Sequence, residues 1–149
     1  MRRVFRSYDR IARLLSGPWI ESGALLLTRL ALAGVFWRSG RSKVVEGSWL
    51  TIDETQYFLF DEFGLPIPSA LMVPVTTYAE FVLPILVAAG LLTRVSALGL
   101  LAMTLVIQFL IFPEAWWPTH SLWAALALVL ISRGGGIFSL DALLVRARG

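Results

Sequence analysis

Long stretches without Asp, Glu, Lys or Arg dominate this 149-residue chain. Residues 95–112 and 115–132 are each uncharged over 18 positions, while residues 63–93 contain only Glu80 and residues 22–37 only Arg29. A helix needs about 20 mostly apolar residues, with ~17 as the lower limit, to cross the hydrocarbon layer of a bilayer. We therefore predict an all-α integral membrane protein, a four-helix bundle that forms one domain over residues 1–149, with spans at residues 22–42, 68–92, 94–112 and 119–132.

The composition agrees with a chain that faces lipid, and it excludes several kinds of redox centre. Hydrophobic residues make up 57% of the chain and charged residues 15%, against ~45–50% and ~25% in soluble domains. The chain has no cysteine and one histidine, His120, which excludes thiolate nucleophiles, iron–sulfur clusters, cysteine-bound zinc and haem held by two histidines. We expect the lipid bilayer as a partner, and no metal site, no covalently bound cofactor and no nucleic-acid partner.

The distribution of Lys and Arg predicts the orientation in the membrane. Nine of these residues lie before the first span, between the second and third, or after the fourth, whereas three lie at the other side together with six acidic residues. Because cytoplasmic segments carry the excess of positive charge, we predict that both termini are cytoplasmic and that the loop at residues 44–67 is on the opposite side. A cleaved signal peptide is the competing interpretation of the N-terminus, and Arg29 argues against it by interrupting the apolar segment.

Two segments near the ends are predicted to lie in the membrane interface. Within residues 1–20, apolar residues fall on one helical face and five arginines on the other, which indicates an amphipathic helix on the anionic inner leaflet. Membrane anchoring is the favoured interpretation over recognition of a partner. Residues 139–148 are predicted to form a second, cytoplasmic interfacial helix, with Ser139 as its N-cap and arginines in its last turn.

The loop between the first two spans is long enough to contain a helix of its own. We predict this helix over residues 51–63, where Thr51 and Glu54 match a capping box. Its apolar stripe consists of Ile52, Leu59, Phe60 and Phe63. The simpler interpretation is a surface helix that covers the apolar mouth of the bundle, and the functional interpretation is a lid over a pocket.

Arg29 and Glu80 are the charged residues that lie deepest in the predicted spans. A charge at the centre of a membrane costs about 2.5–3.5 kcal/mol on insertion scales, so each side chain needs a partner. The first two spans are antiparallel neighbours, and we therefore predict that Arg29 and Glu80 form a buried pair. This pair either fixes the register of the helices or acts as a proton relay or ligand anchor, which makes both residues candidate catalytic residues.

Further candidates for ligand binding gather towards the outer end of the bundle. They are Arg38, Lys43, Tyr78, Gln108 and His120. His120 is either a solvated residue at the start of the fourth span or a group that exchanges protons or binds a ligand carbonyl. Gln108 equally fits a hydrogen bond between helices.

Several motifs in a fixed order resemble the DoxX family. They are Arg29 in the first span, Ser39-Gly40-x-x-Lys43 at its end, Glu80 in the second span, Gly90-Leu91-Leu92-Thr93-Arg94 at the inner turn, His120 before the fourth span, and a glycine run at residues 134–136 followed by Ser139-Leu140-Asp141. The resemblance extends over residues 22–145. The loop is also similar to that of DoxX-like members found beside genes for bufferin-type metallopeptides.

The resemblance implies a four-helix bundle in the bacterial inner membrane that is allied to membrane oxidoreductases, such as thiosulfate:quinone oxidoreductase. A chain without cysteine, haem ligands or a nucleotide-binding glycine motif needs a bound electron carrier for a redox role. A quinone is the expected cofactor, with Arg29, Glu80, Gln108 and His120 as its proton and hydrogen-bond partners.

Two functions from different classes follow from the sequence. The first is a quinone-linked or redox-associated membrane component that works with a partner oxidoreductase, membrane-bound or soluble, so whether the chain is itself an enzyme stays open. The second is a non-catalytic membrane partner or assembly factor, for example in copper-peptide handling. A proton-coupled transporter is a distant third, because four helices must form a homo-oligomer to enclose a path.

Overall fold

The computed structural model describes residues 12–148, which fold into an all-α protein. The α-helices of this part of the chain are α1 Pro18–Arg41, α2 Thr55–Glu62, α3 Ser69–Ala89, α4 Thr93–Leu110, α5 Ser121–Arg133 and α6 Leu140–Arg148. A 3₁₀ turn at Pro113–Ala115 and a π-helical turn at Trp116–His120 connect α4 to α5.

Three of the helices, α1, α3 and α4, are long and apolar enough to cross a membrane. They contain 24, 21 and 18 residues and correspond to the first three predicted spans. The fourth predicted span, residues 119–132, corresponds to α5, which has only 13 residues and is shorter than the ~17 that a span needs. Pro113 and Pro118 lie in the preceding segment, where the missing N–H group of proline interrupts regular α-helical hydrogen bonding.

The helices pack as two antiparallel pairs. α1 packs along α3, α4 packs along α5, and α1 also contacts α5. The core between them is apolar and consists of Leu25, Leu32, Phe36, Val87, Ala97, Leu100, Ala127 and Leu130. Large apolar side chains on the outer faces stay exposed, such as Leu27 at 69% and Phe109 at 71%, as expected for surfaces that face lipid.

The predicted loop helix is present but shorter than expected. It is α2, Thr55–Glu62, which we call the lid. The predicted capping box is wrong, because Asp53, and not Thr51, accepts hydrogen bonds from the backbone N–H and hydroxyl of Thr55, at 2.9 and 2.7 Å. These hydrogen bonds lower the pKa of Asp53.

The segment before the lid is a hairpin. Ile52, predicted on the apolar stripe of the helix, instead forms an isolated antiparallel bridge with Val44. Arg41 fastens this hairpin to the end of α1, since it donates a hydrogen bond to the Ser48 carbonyl at 2.6 Å and lies over the ring of Trp49. The connection after α1 is therefore folded against the bundle.

The predicted interfacial helix at residues 1–20 falls mostly outside the described residues, because residues 1–11 are not described. Residues 12–15 are helical, and a turn at residues 16–17 separates them from α1, so one helix does not continue to residue 20. At the other end, α6 matches the helix predicted at residues 139–148, and Ser139 Oγ accepts the Ala142 N–H at 3.2 Å. The predicted N-cap is confirmed.

Candidate functional site

Glu80 forms a buried ion pair with Lys43, at the end of α1. Lys43 Nζ lies 2.5 Å from Glu80 Oε2, and Ser39 donates its hydroxyl to Glu80 Oε1 at 3.1 Å. Lys43 also donates to Ser39 Oγ at 2.9 Å, which closes a small network. The side chain of Glu80 is 3% exposed and that of Lys43 is 14% exposed. The predicted pairing of Glu80 with Arg29 is therefore wrong.

The register between α1 and α3 explains this correction. Gly40 packs directly against Glu80, so closely that a Cβ atom on Gly40 would lie 3.2 Å from Glu80 Cβ and from its carbonyl oxygen. Arg29 precedes Gly40 by 11 residues, which places it about 16 Å further along the helix. Arg29 therefore reaches the opposite end of α3, next to Gly90.

Arg29 is completely buried and bonds to backbone carbonyls at that end. It donates to the carbonyl oxygens of Ala88 at 3.3 Å and Phe138 at 2.7 Å. Gly90 has a φ of 71°, and a side chain there would overlap both Arg29 and Ser139. Arg29 thus connects α1 with the end of α3 and with the segment that precedes α6. We call this arrangement, with Asp141 described next, the clasp.

Asp141 completes the clasp by capping α4 from a distant part of the chain. Its carboxylate accepts the backbone N–H groups of Leu92 at 2.8 Å and Thr93 at 2.9 Å, and the Thr93 hydroxyl at 2.7 Å. Burial on its own raises the pKa of Asp141, but the hydrogen bonds from Thr93 and Leu92 and the charge of Arg29 outweigh it, so this pKa lies below its usual value. Asp141 supplies the N-terminal cap that Leu92, at φ 49°, does not provide.

A cavity of about 440 Å³ lies beside the Lys43–Glu80 pair. It is lined by the end of α1, the lid, α3 and α4, at the end of the bundle opposite the clasp. Its polar lining groups are Ser39, Ser42, Lys43, Gln56, Thr76 and Glu80. The remaining walls are apolar and include Phe60, Phe63, Met72, Met103, Val106 and Phe112. Such a volume, apolar with a few polar groups that converge, is typical of small-molecule sites.

The lid forms one wall of this cavity. Leu59, Phe60 and Phe63, three members of the predicted apolar stripe, all line it. The Phe63 ring contacts the rings of Phe60 and Phe112, with centroid distances of 5.7 and 6.0 Å. The helix therefore covers a pocket, which favours the functional interpretation of the lid.

Two of the predicted ligand-binding residues, Arg38 on α1 and Tyr78 on α3, lie outside the cavity. Arg38 is exposed and does not line the cavity. Tyr78 is 41% exposed and donates its hydroxyl to the Leu50 carbonyl at 3.2 Å. Tyr78 thus holds the hairpin and does not face a ligand.

Gln108 and His120 bond to each other at the start of α5. Gln108 uses its amide nitrogen to donate to the Pro113 carbonyl at 2.7 Å, so its oxygen accepts from His120 Nδ1 at 2.8 Å. His120 is 3% exposed and packs against the ring of Trp123. The interpretation of His120 as a solvated residue is wrong, and that of Gln108 as a hydrogen-bond link between elements is confirmed.

Of the predicted site residues, the structure brings only Glu80 and Lys43 together at the cavity. The sequence reasoning did not single out Gln56, Met72 and Met103, which also line it. Met72 precedes Glu80 by two helical turns, a spacing that places both on one face of α3. Among residues 12–148, no group of three or more His, Cys, Asp or Glu side chains is arranged to hold a metal ion.

The family model described as DoxX matches residues 24–113, which is more than half of the chain and includes every residue that lines the cavity. An uncharacterized protein of Haemophilus influenzae is 32% identical over an alignment 144 residues long; the match covers 84% of this chain and 86% of that protein. No solved structure matches the chain significantly.

Proposed function

The chain belongs to the DoxX family, and we propose that it is a membrane component of a redox system that binds a quinone in the cavity beneath the lid. One observation carries this proposal: a buried Lys43–Glu80 ion pair lies at the wall of an otherwise apolar cavity of about 440 Å³. Pockets of about 300–1,000 Å³ with this division of polar and apolar walls suit small amphiphilic ligands.

The residues of the cavity fit the two ends of a quinone. Lys43 uses two of its three N–H groups on Ser39 and Glu80 and offers the third to a ring carbonyl, and Glu80 can hold or release a proton next to it. Met72, Met103 and Phe112 provide flexible and aromatic surface for the ring and its tail. A bound quinone supplies the electron-carrying chemistry, while these side chains bind, orient and exchange protons.

The topology that we propose for this function has four crossings. The fourth crossing consists of α5 extended by the π-helical turn Trp116–His120, so that it runs over residues 116–133. By the positive-inside rule both termini and the clasp face the cytoplasm, and the lid faces the periplasm of a bacterial inner membrane. A quinone held in the cavity would supply the electron carrier through which the chain works with a partner oxidoreductase, membrane-bound or soluble.

A second candidate function, a non-catalytic partner or assembly factor, is favoured by a different observation. The outer surface of the hairpin and lid exposes large apolar side chains, with Trp49 at 63%, Leu50 at 69% and Phe58 at 72%. Exposed apolar groups of this kind often mark protein contact sites. In that case the polar residues serve packing and docking, and handling of copper peptides is one form of this role.

Quantification of quinone in the purified protein tests the proposal. The protein is isolated in native lipid particles, and extracted quinone is measured per mole of protein and per mole of lipid. We expect enrichment over bulk lipid for the natural chain and loss of that enrichment for the double variant Lys43→Met/Glu80→Gln, which leaves no charge unpaired. Tyr78→Phe is the matched control, since Tyr78 lies outside the cavity. A quinone content equal to that of bulk lipid in all three proteins would contradict the proposal.

The same variants separate the two candidate functions in cells. A quinone-binding component loses its function with Lys43→Met/Glu80→Gln although the protein accumulates normally. An assembly factor retains function with this double variant and loses it with changes on the outer face of the lid, such as Phe58→Ser.

A further inference from the structure

Polar side chains connect the buried ion pair to the surface on the side of the lid. Glu80 bonds to Ser39 and Lys43, and Lys43 immediately follows Ser42, which lines the cavity and is exposed. Gln56 adds a polar group from the lid itself. Water that enters beneath the lid therefore has Ser42, Gln56 and Lys43 as polar partners near the Glu80 carboxylate.

In the opposite direction the bundle is closed by apolar side chains. Glu80 and Gly90 are 10 residues apart on the same helix, a distance of about 15 Å. The space between them and the neighbouring helices is filled by Phe36, Leu32, Val87, Leu100 and Leu130, each no more than 1% exposed. We call this part of the core the plug. A close-packed apolar region of this kind holds no water.

Buried threonines do not bridge the plug. Thr104 donates its hydroxyl to the Leu100 carbonyl of its own helix at 2.8 Å, and the Thr77 hydroxyl has no hydrogen-bond partner. Beyond the plug, Arg29 donates to backbone carbonyls, which do not accept a proton outright. Within the described residues, no hydrogen-bonded series leads from Glu80 to the clasp.

We infer that Glu80 exchanges its proton with water on the lid side of the membrane only. The Glu80 carboxyl gives its proton to water that enters past Ser42 and Lys43, and the resulting carboxylate keeps its bonds to Lys43 and Ser39; the return of the proton follows the same route. This inference rests on the proposed function in that Glu80 is the group that takes and releases protons. Redox chemistry at this cavity then releases or consumes protons on one side of the membrane.

Cysteine scanning tests this directly, because the chain contains no natural cysteine. Single variants Ser39→Cys and Thr76→Cys place a thiol in the cavity without removing Lys43 or Glu80. A membrane-impermeant thiosulfonate is applied to right-side-out spheroplasts and, separately, to inside-out vesicles. Asp61→Cys on the lid and Ala147→Cys on α6 report which side each preparation exposes, so the result does not depend on the absolute orientation. Leu32→Cys is the control for the plug.

We expect the two cavity thiols to react in the preparation that labels Asp61→Cys and to stay unlabelled in the preparation that labels Ala147→Cys. Leu32→Cys should stay unlabelled in both. Labelling of the cavity thiols from the α6 side, from both sides, or from neither overturns the inference. The outcome is independent of quinone content, so lid-side labelling together with bulk-level quinone would refute the proposed function and leave the one-sided access standing.

Discussion

Arg29 and Glu80, the charged residues that were predicted to lie deepest in the spans, have opposite kinds of surroundings. At the clasp, Arg29 is fully enclosed and bonds to carbonyls of two other segments, and Asp141 satisfies the first N–H groups of α4. At the lid end, Glu80 faces a cavity and is held by a lysine that is itself partly exposed. Protein groups surround the charge at the clasp, whereas the charge at the lid end borders a cavity.

This difference separates a charge that is bonded into the fold from a charge at the candidate site. Intramembrane ionisable residues are functional sites by default, but the default does not fit Arg29, whose guanidinium takes the place of a helix cap between segments. A charged residue that borders a cavity can contact a ligand, and Glu80 borders one. The volume beside the charge, rather than the charge alone, marks the candidate site.

The largest expected effect is that of Arg29→Leu. It removes two donors from buried carbonyls and the positive charge near Asp141, and the scale for breaking a buried charged network is ~3–5 kcal/mol. We expect a large loss of folded protein and of thermal stability in detergent. Adding Glu80→Leu should not restore stability, because the two residues lie about 16 Å apart along the bundle and changes at this distance add. Recovery of stability in the double variant would show that Arg29 and Glu80 are energetically coupled, contrary to the separation described here.

Lys43→Met should have the next largest effect. It leaves the Glu80 carboxylate with the Ser39 hydroxyl as its remaining partner, which costs about 1–3 kcal/mol, less than at the clasp because Glu80 borders a cavity and is not fully enclosed by protein. The second change Glu80→Gln should recover most of this loss. A double-mutant cycle from thermal unfolding of the four proteins measures the coupling, and additive effects would mean that the pair contributes nothing to stability.

Asp141→Asn removes the charge of the cap on α4 and replaces one of its two acceptor oxygens by an amide nitrogen. We expect a loss of about 1 kcal/mol at neutral pH. The pKa of Asp141 is lowered in the folded protein, so its stabilising contribution is fully present above its unfolded pKa of about 3.9 and is lost as the pH falls through the lower folded value. The difference in Tm between the natural chain and Asp141→Asn should therefore shrink below about pH 4. A difference that is constant with pH would show that charge is not involved.

Tyr78→Phe should have the smallest effect. It removes one partly exposed hydrogen bond to the hairpin, worth about 0.5–1 kcal/mol. Because Tyr78 does not line the cavity, quinone content and labelling of the cavity thiols should not change. Loss of quinone with this variant would show that the binding site extends beyond the cavity to Tyr78.

Hydropathy alone predicted the three helices that are long and apolar enough to cross a membrane, because a span is a property of one continuous segment. It also identified Arg29 and Glu80 as the charges that need partners. It could not predict which partners, since the pairing depends on the register of α1 against α3, and this register is set by the close approach of Gly40 to Glu80. A hairpin that folds back beside the helix end then brings Lys43 into reach.

The motifs that resemble the DoxX family lie at two separate places in the structure, the lid end and the clasp. Ser39, Gly40 and Lys43 all contact Glu80 and build the lid end. Gly90, Thr93 and Asp141 belong to the clasp. The sequence presented them as one ordered pattern, because contacts between residues 48 or 49 positions apart cannot be read from spacing along a chain.

The hydrogen bonds that cap α4 join segments of the chain that are synthesised at different times. The ribosome synthesises α4 well before Asp141, so the helix enters the membrane with its first N–H groups bonded to water or lipid head groups. Arg29 likewise waits for the Phe138 carbonyl, 109 residues later. The clasp can therefore close only after residues 138–141 have been synthesised, long after the helices that it joins.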